Sequence, residues 1–443
     1  MLGPRPRSRT YSTAKTYGRL FSDILSMRLH KGDDILTLEN RIKDLTGARH
    51  AIAMPQGRVA IFAAIRALIR PGQKVILSPY TIYEVVNMVI CAGGIPVFAD
   101  IRRDTCNIDP HEVDSLIDDQ TGAVLVTHLH GLAADIEQLA DLCRARGVAL
   151  VEDAAQSFGG RVSGKYLGTF GDAGIFSFGL YKNINAFYGG MLVTSRTDIA
   201  KRISQEVRQW PRQPLWPLVR RAGYGLFTEI LTWPPLFGTL VYRIFRFAYL
   251  HDIESLNRRV REENNPHVKY ELPARYLRQL SQAQARLVLQ RLPLVEDDFR
   301  TRLRFARMYH EGLNDLREII LPPFFEDGRH IYLQYPIQYR DRKALVKYML
   351  RAGCDVYAQH MRNCADLACF SRYGRDCPNA RATANSVVVL PTYPKYHEDD
   401  VRRNIKAIRD FVQQLSAEDR RSSINDATVV LARATGSGSV TRC

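Results

Sequence analysis

The sequence predicts an α/β fold: a mostly parallel sheet covered on both faces, followed by a smaller α+β unit. Three observations lead there. Between residues 50 and 195, short apolar runs alternate with amphipathic stretches. The apolar runs are continuously hydrophobic, so both faces of the sheet they form are expected to be buried. Strand–helix alternation on this scale implies crossover connections and parallel strands.

Taken in order, the chain opens with "MLGPRPRSRTYSTAKTYGRL", basic and polar and without the apolar core of a secretory signal. It is free of acids and contains Arg and Ser, as a transit peptide would, but it reads first as a solvated arm over residues 1–34. A large domain is expected over 35–209. Its strands are "HAIAM" (50–54), "KVILSP" (74–79), "GIPVFADI" (94–101), "GAVLVTHL" (122–129), "VALVEDAA" (148–155), "GIFSF" (174–178) and "GMLVTS" (190–195). Helical patterns fall between several of them: "GRVAIFAAIRALIR", "YEVVNMVICAG" and "DIEQLADLCRARG", the last closed by Gly147 as a helix stop.

Residues 210–254 fit neither domain. Residues 222–242 carry no Lys or Arg, about the length of a membrane span, and basic aromatic sequence follows. Glu229 and the Pro234–Pro235 pair oppose spanning. Three readings stand: a helical hairpin packed on the body or on a dimer partner, an interfacial insertion, or a span. In the second, Arg208, Arg212, Arg220, Arg221, Arg243 and Arg246 face anionic headgroups. Residues 255–417 then read as a smaller α+β domain. It holds a long helical pattern interrupted at Pro293, a strand in "RHIYLQYPIQY", and helices in "DRKALVKYMLRAG" and "DDVRRNIKAIRDFVQQL". Residues 418–443 lack a packing period and read as a flexible tail.

With 443 residues, two or three packed units are expected. A 46% hydrophobic and 24% charged composition excludes a disordered chain. The formal charge of +16 favours an anionic partner, a phosphorylated small molecule or a lipid surface. The basic residues are spread out and form no nucleic-acid motif, so nucleic acid is not an expected partner. Eight dispersed cysteines without C-x-x-C spacing predict no metal site and a cytoplasmic location, with membrane association through 210–250 left open.

The chemistry centres on "GIFSFGLYKNINAFYGG" (174–190), where a strand ends by presenting Lys182. A surface lysine is the bland reading. A lysine that binds an aldehyde needs partners, and those of pyridoxal phosphate can be sought one by one. Asp153, at the end of "VALVED", could face the pyridine nitrogen, or could cap a helix. Glu152 should point to the opposite face. Gln156 could reach the ring oxygen. The turn Gln56-Gly57-Arg58 leads a strand into a helix whose free amides suit a phosphate, and Ser177 offers a hydroxyl. Tyr80, Ile82 or Tyr83 could cover the ring. His128 and His130 could line the site or be structural.

These residues carry a resemblance. The block from "VTHLHGL" through "EDAAQSFGG" to "FSFGLYKN" resembles the DegT/DnrJ/StrS family of pyridoxal-phosphate-dependent sugar aminotransferases, which have the aspartate-aminotransferase fold. Weaker similarity extends to "ENRIKDLTGARHAIAMPQG", "LSQAQARLVLQRL" and "NSVVVLPTYPKYHEDD". The resemblance implies that Lys182 binds the cofactor aldehyde and that Asp153 pairs its ring nitrogen. It also implies that Gln156 contacts the ring oxygen, that Ser177 with Gln56, Gly57 and Arg58 holds the phosphate, and that Ile82 takes the stacking position. The implied reaction is transfer of an amino group from an amino acid, plausibly glutamate, to an anionic keto sugar. A nucleotide-linked sugar is expected, in cell-surface polysaccharide or secondary-metabolite synthesis, and the enzyme is expected to be a homodimer.

The chain departs from the family pattern in four places. Arg58 stands where Ser or Thr is usual, Ile82 where an aromatic is common, and Tyr188 in an acidic place. The motif that supplies an Asn from the neighbouring subunit reads "ARYLRQLSQAQ". Two alternatives follow from this sequence: a membrane-surface enzyme acting on a lipid-linked substrate, or a non-catalytic regulator on the same scaffold.

Overall fold

A computed structural model describes residues 3–253, 265–358 and 361–414. Seven strands form the central sheet: β1 (His50–Met54), β2 (Lys74–Leu77), β3 (Ile95–Phe98), β4 (Thr121–Thr127), β5 (Ala149–Asp153), β6 (Ala173–Ser177) and β7 (Gly190–Thr194). Their spatial order is β1-β7-β6-β5-β4-β2-β3. The pairs β6·β5, β5·β4, β4·β2 and β2·β3 are parallel, and β7 runs antiparallel between β1 and β6. Six strands therefore point the same way and end on one edge. All seven apolar runs of the sequence are strands of this sheet, and their inner residues are buried.

Helix α1 (Ala14–Leu25) begins at a Thr13–Thr16 capping box, and α2 (Asp34–Thr46) closes with Gly47 in the left-handed region. Helix α3 (Gly57–Leu68) is buried from Val59 to Ile65, and α4 (Tyr83–Cys91) from Glu84 to Ile90. Burial around the whole circumference explains why their sequences show little amphipathic contrast. Helix α5 (Ile136–Arg146) ends at Gly147, φ +66°, as the sequence predicts.

The opening residues are packed, not solvated. The Arg7 backbone N–H and guanidinium both reach Asp355, at 2.7 and 3.0 Å, Arg5 pairs with Asp400 at 3.2 Å, and Thr10, Tyr11 and Ser12 are buried. Acids more than 340 residues downstream neutralise Arg5 and Arg7, which no local reading of a basic segment could supply.

Residues 210–253 are largely helical and form two consecutive arms, called the hairpin below, the first packed on the core around Phe187 and the second on the core around Tyr335. Helix α6 (Leu215–Leu231) turns at Thr232 and Trp233 into a second arm running from Pro234 to Leu250, with a π-helical turn over Phe237–Val241. The two prolines stand at the start of that arm, where a missing N–H leaves no hydrogen bond unmade. No helix among the described residues is long and apolar enough to cross a membrane.

The C-terminal part holds a three-stranded sheet. Central β10 (Val387–Leu390) is flanked by β8 (Tyr335–Gln338) and β9 (Tyr357–Ala358). The strand expected over "RHIYLQYPIQY" is confined to those four residues of β8. Pro293 interrupts the long helical pattern through a short 3-10 turn between Gln282–Arg291 and Val295–Leu313. The tail expected over 418–443 lies outside the described residues.

Candidate active site

The residues singled out by the sequence come from one edge of the sheet, where ligands of such folds gather. Strand register aligns them: Met54 and Ser177 both pair with Gly190, while Asp153 pairs with Ile175 and Thr127. Gln56 and Gly57 thus follow the end of β1, Ser177 ends β6 and leads to Lys182, and Asp153 ends β5.

Asp153 is 5% exposed. Its Oδ1 accepts the Ala155 N–H at 3.0 Å, and no helix follows it, which removes the helix-cap reading. Burial pushes its carboxyl above the usual carboxylate range, while the Ala155 N–H and the positive charge of Lys182 pull it back. The acid and the lysine are therefore electrostatically coupled. Lys182 itself is half-buried in a turn, its N–H bonded to the Gly179 carbonyl at 3.0 Å. A Cβ on Gly179 would lie 3.5 Å from Ser177 Oγ and 3.7 Å from Lys182 Cγ, so these two side chains converge on that glycine.

The flanking asparagines anchor the lysine turn. Asn183 Nδ2 donates to the Phe158 carbonyl at 2.7 Å, and the Asn183 carbonyl accepts from Arg291 Nε at 3.1 Å. Ser12 of the N-terminal arm reaches Asn185 Oδ1 at 3.3 Å. Neither the arm contact nor Arg291 is signalled locally in the sequence.

Helix α3 begins at Gly57, and its first-turn amides have no acceptor within the helix. A Cβ on Gly57 would meet Ser177 Cβ at 3.0 Å, so only glycine lets this helix end sit so close to the serine. Ser177 Oγ also accepts the Gly179 N–H at 3.3 Å. The Arg58 guanidinium, expected to face a phosphate, pairs with Glu84 at 3.5 Å and lies 5.9 Å over the Tyr276 ring. Glu84 is buried and also binds Lys269. Sequence reasoning missed it, although it is the only charged residue of the otherwise apolar α4, and a lone acid in such a helix was the available signal.

Gln156 Oε1 accepts the His130 N–H at 3.0 Å. His130 Nδ1 lies 3.1 Å from Gln334 Oε1, and Gln334 Nε2 donates to the Tyr357 hydroxyl at 2.7 Å. His130 thus serves the site through its backbone, which its residue type does not advertise. Ile82 immediately precedes α4 and packs half-buried on the core. Tyr80 is fully buried in that core, and the Tyr83 ring lies tilted against His267 at 5.9 Å, so both are occupied in packing. Tyr188 is half-buried against a second core cluster, and its carbonyl accepts from Gln284 Nε2 at 2.8 Å.

Glu152 turns to the opposite face from Asp153, as strand alternation requires. Its carboxylate accepts the N–H groups of Gly168, Phe170 and Gly171 at 2.8, 2.5 and 2.8 Å and approaches His128 Nε2 at 3.3 Å. The Ala134 N–H donates to His128 Nδ1, which fixes the proton on Nε2, so His128 is a structural histidine. Glu152→Ala is expected to lower stability by about 3 kcal/mol or more, because three buried donors lose their acceptor. Urea denaturation measures this, and a loss below about 1 kcal/mol would contradict the structural role.

The residues suit pyridoxal phosphate. A buried carboxylate and the turn that carries a primary amine follow strand ends on one sheet edge, and a helix amide end packs on Ser177 through a glycine whose Cβ would press on that serine at 3.0 Å.

Comparison with known proteins follows this geometry. The model of the DegT/DnrJ/EryC1/StrS aminotransferase family matches residues 19–210 and 253–409. "Spore coat polysaccharide biosynthesis protein SpsC" of Bacillus subtilis is 27% identical over 397 residues, 87% of this chain and 91% of that protein. A UDP-N-acetyl-3-dehydro-alpha-D-glucosamine 3-aminotransferase of Acidithiobacillus ferrooxidans is 26% identical over 381 residues, covering 85% and 88%. Among solved structures, an aminotransferase from Psychrobacter cryohalolentis superposes with a TM-score of 0.73 at 18% identity, covering 92% of this chain and 99% of that one.

Proposed function

The chain belongs to the DegT/DnrJ/EryC1/StrS aminotransferase family and is a pyridoxal-phosphate-dependent aminotransferase. From that premise we propose that it moves an amino group from an amino acid, glutamate being the expected donor, to the keto group of an anionic, nucleotide-linked sugar. One observation carries the reading: Asp153 and the Ser177-to-Lys182 turn follow strand ends on the carboxyl edge of the sheet, where the helix start at Gly57 also falls.

When bound, the cofactor supplies an electron-withdrawing ring that stabilises negative charge at the substrate carbon. Asp153 would keep the ring nitrogen protonated by pairing with its charge. Gln156, whose Oε1 is taken by His130, has its amide N–H groups left to donate to the ring oxygen. Ser177 and the amides at Gln56–Arg58 would hold the phosphate, and Ile82 would cover the ring. Lys182 Nζ would hold the cofactor's aldehyde carbon and, once displaced by the donor amine, move the proton from the substrate carbon.

The nucleotide-sugar acceptor is supported by the UDP-sugar named for one relative and by the net charge of +16. We expect a homodimer, as the resemblance implies. A lipid-linked sugar is a second acceptor, favoured by the arginine-flanked hairpin. The test loads the protein with pyridoxamine phosphate and presents a panel of keto-sugar nucleotides and lipid-linked keto sugars. Return of the pyridoxal absorbance with one sugar nucleotide is the expected result, and a response only to a lipid-linked sugar selects the second reading. No response to any sugar, and none of the pyridoxal form to glutamate, would leave a regulator in its place.

A further inference from the structure

The two blocks matched by the family model leave residues 211–252 between them. One side of the hairpin is fixed to the body. Leu218, Ala222 and Gly225 of α6 are buried, and a Cβ on Gly225 would touch Tyr17, Leu180 and Phe187 at 3.0 to 3.6 Å. On the second arm Phe237, Val241 and Tyr242 are buried, and the Tyr242 hydroxyl donates to the Leu350 carbonyl at 2.5 Å.

The other side is apolar and open. Ten of the eighteen large apolar side chains exposed among the described residues fall between 215 and 247, a concentration along the chain that a scatter would not give. Trp216 is 70% exposed, and Phe227 and Trp233 are each 57% exposed. Positions 216, 220, 224 and 227 follow one helical face of α6, and 240, 244 and 247 follow one face of the second arm.

Charge selects what covers this face. Between residues 207 and 251 there are six arginines, no lysine and one acid, Glu229. Glu229 is turned inward, bound by Arg9 at 2.5 Å, Thr10 at 2.6 Å and Lys395 at 3.3 Å. Arg220, Arg221 and Arg243 are exposed beside the apolar stripes. A second copy meeting this face through a two-fold axis would set arginines against arginines. An anionic lipid surface neutralises them and receives the tryptophans at its headgroup boundary.

We infer that residues 215–250 seat the protein on anionic membranes as an interfacial hairpin that lies in the headgroup layer without crossing it. The inference does not depend on the substrate. It is tested with the full chain by flotation on vesicles of phosphatidylcholine with and without phosphatidylglycerol. Wild-type protein is expected to float only with phosphatidylglycerol, with a blue shift of its tryptophan fluorescence. Arg220→Glu/Arg221→Glu/Arg243→Glu is expected to weaken binding at least about tenfold, and Trp216→Ser/Trp233→Ser to abolish the shift, while the thermal midpoint of both variants stays that of the wild type. These are exposed positions, so the fold should tolerate them. Failure of the wild type to float, or flotation unchanged in both variants, overturns the inference. So does a dimer that these substitutions dissociate without any vesicle binding, which would make the face a contact between copies.

Discussion

Lys182→Ala is expected to fold normally and to turn over at least about a thousandfold more slowly. The side chain is half-buried in a turn held by Asn183, Asn185 and backbone hydrogen bonds. The turn should therefore keep its shape, and the loss falls on chemistry. A positioned acid–base group contributes about 10²–10⁴-fold, and loss of covalent tethering adds to that. Borohydride reduction followed by mass spectrometry checks the tether: wild-type protein should gain the mass of the cofactor at Lys182, and the variant should not. An added small primary amine should restore part of the proton-transfer rate. Turnover within tenfold of wild type, or a reduced adduct at another lysine, would remove Lys182 from its proposed role.

The second large effect is expected from Asp153→Asn. The amide keeps an acceptor for the Ala155 N–H and nearly the same volume, so the strand end should be preserved. What it loses is the negative charge. Burial works against that charge, and the Ala155 N–H and Lys182 restore part of what burial removes. A protonated ring nitrogen would complete the compensation. Breaking a buried charge pair on one side costs about 3–5 kcal/mol, or about 2.2 to 3.7 decades of rate at 1.36 kcal/mol per decade. Turnover is expected to fall by that factor while the cofactor stays bound and the thermal midpoint moves little. A fall of less than tenfold, with cofactor retained, would mean that Asp153 does not face the ring nitrogen.

Much of the fold could be read locally. Each central strand is a short run of β-branched and other apolar residues bounded by turn formers, and periodicity of this kind does not depend on distant contacts. Gly147 as a helix stop, Pro293 as a helix break and the opposite facing of Glu152 and Asp153 were legible for the same reason. The candidate site was legible as a list of residues because strand ends in a parallel sheet share an edge.

Pairings across the chain were not legible. Composition makes residues 3–12 a solvated basic arm, yet Arg7 meets Asp355 and Ser12 meets Asn185, 348 and 173 positions away. Arg58 reads as a phosphate ligand until Glu84 and Tyr276 are placed beside it. The hairpin's length suggests a span, and Glu229 looks like a flaw in it. The folded chain gives that acid to Arg9 and Lys395 and turns the aromatic stripes outward. By itself, then, the sequence determined the strands and the helix limits, both set by backbone preference and side-chain period. Only the tertiary structure decided which charges meet and which apolar faces are covered, because Coulomb attraction and burial depend on distance in space, and separation along the chain does not supply it.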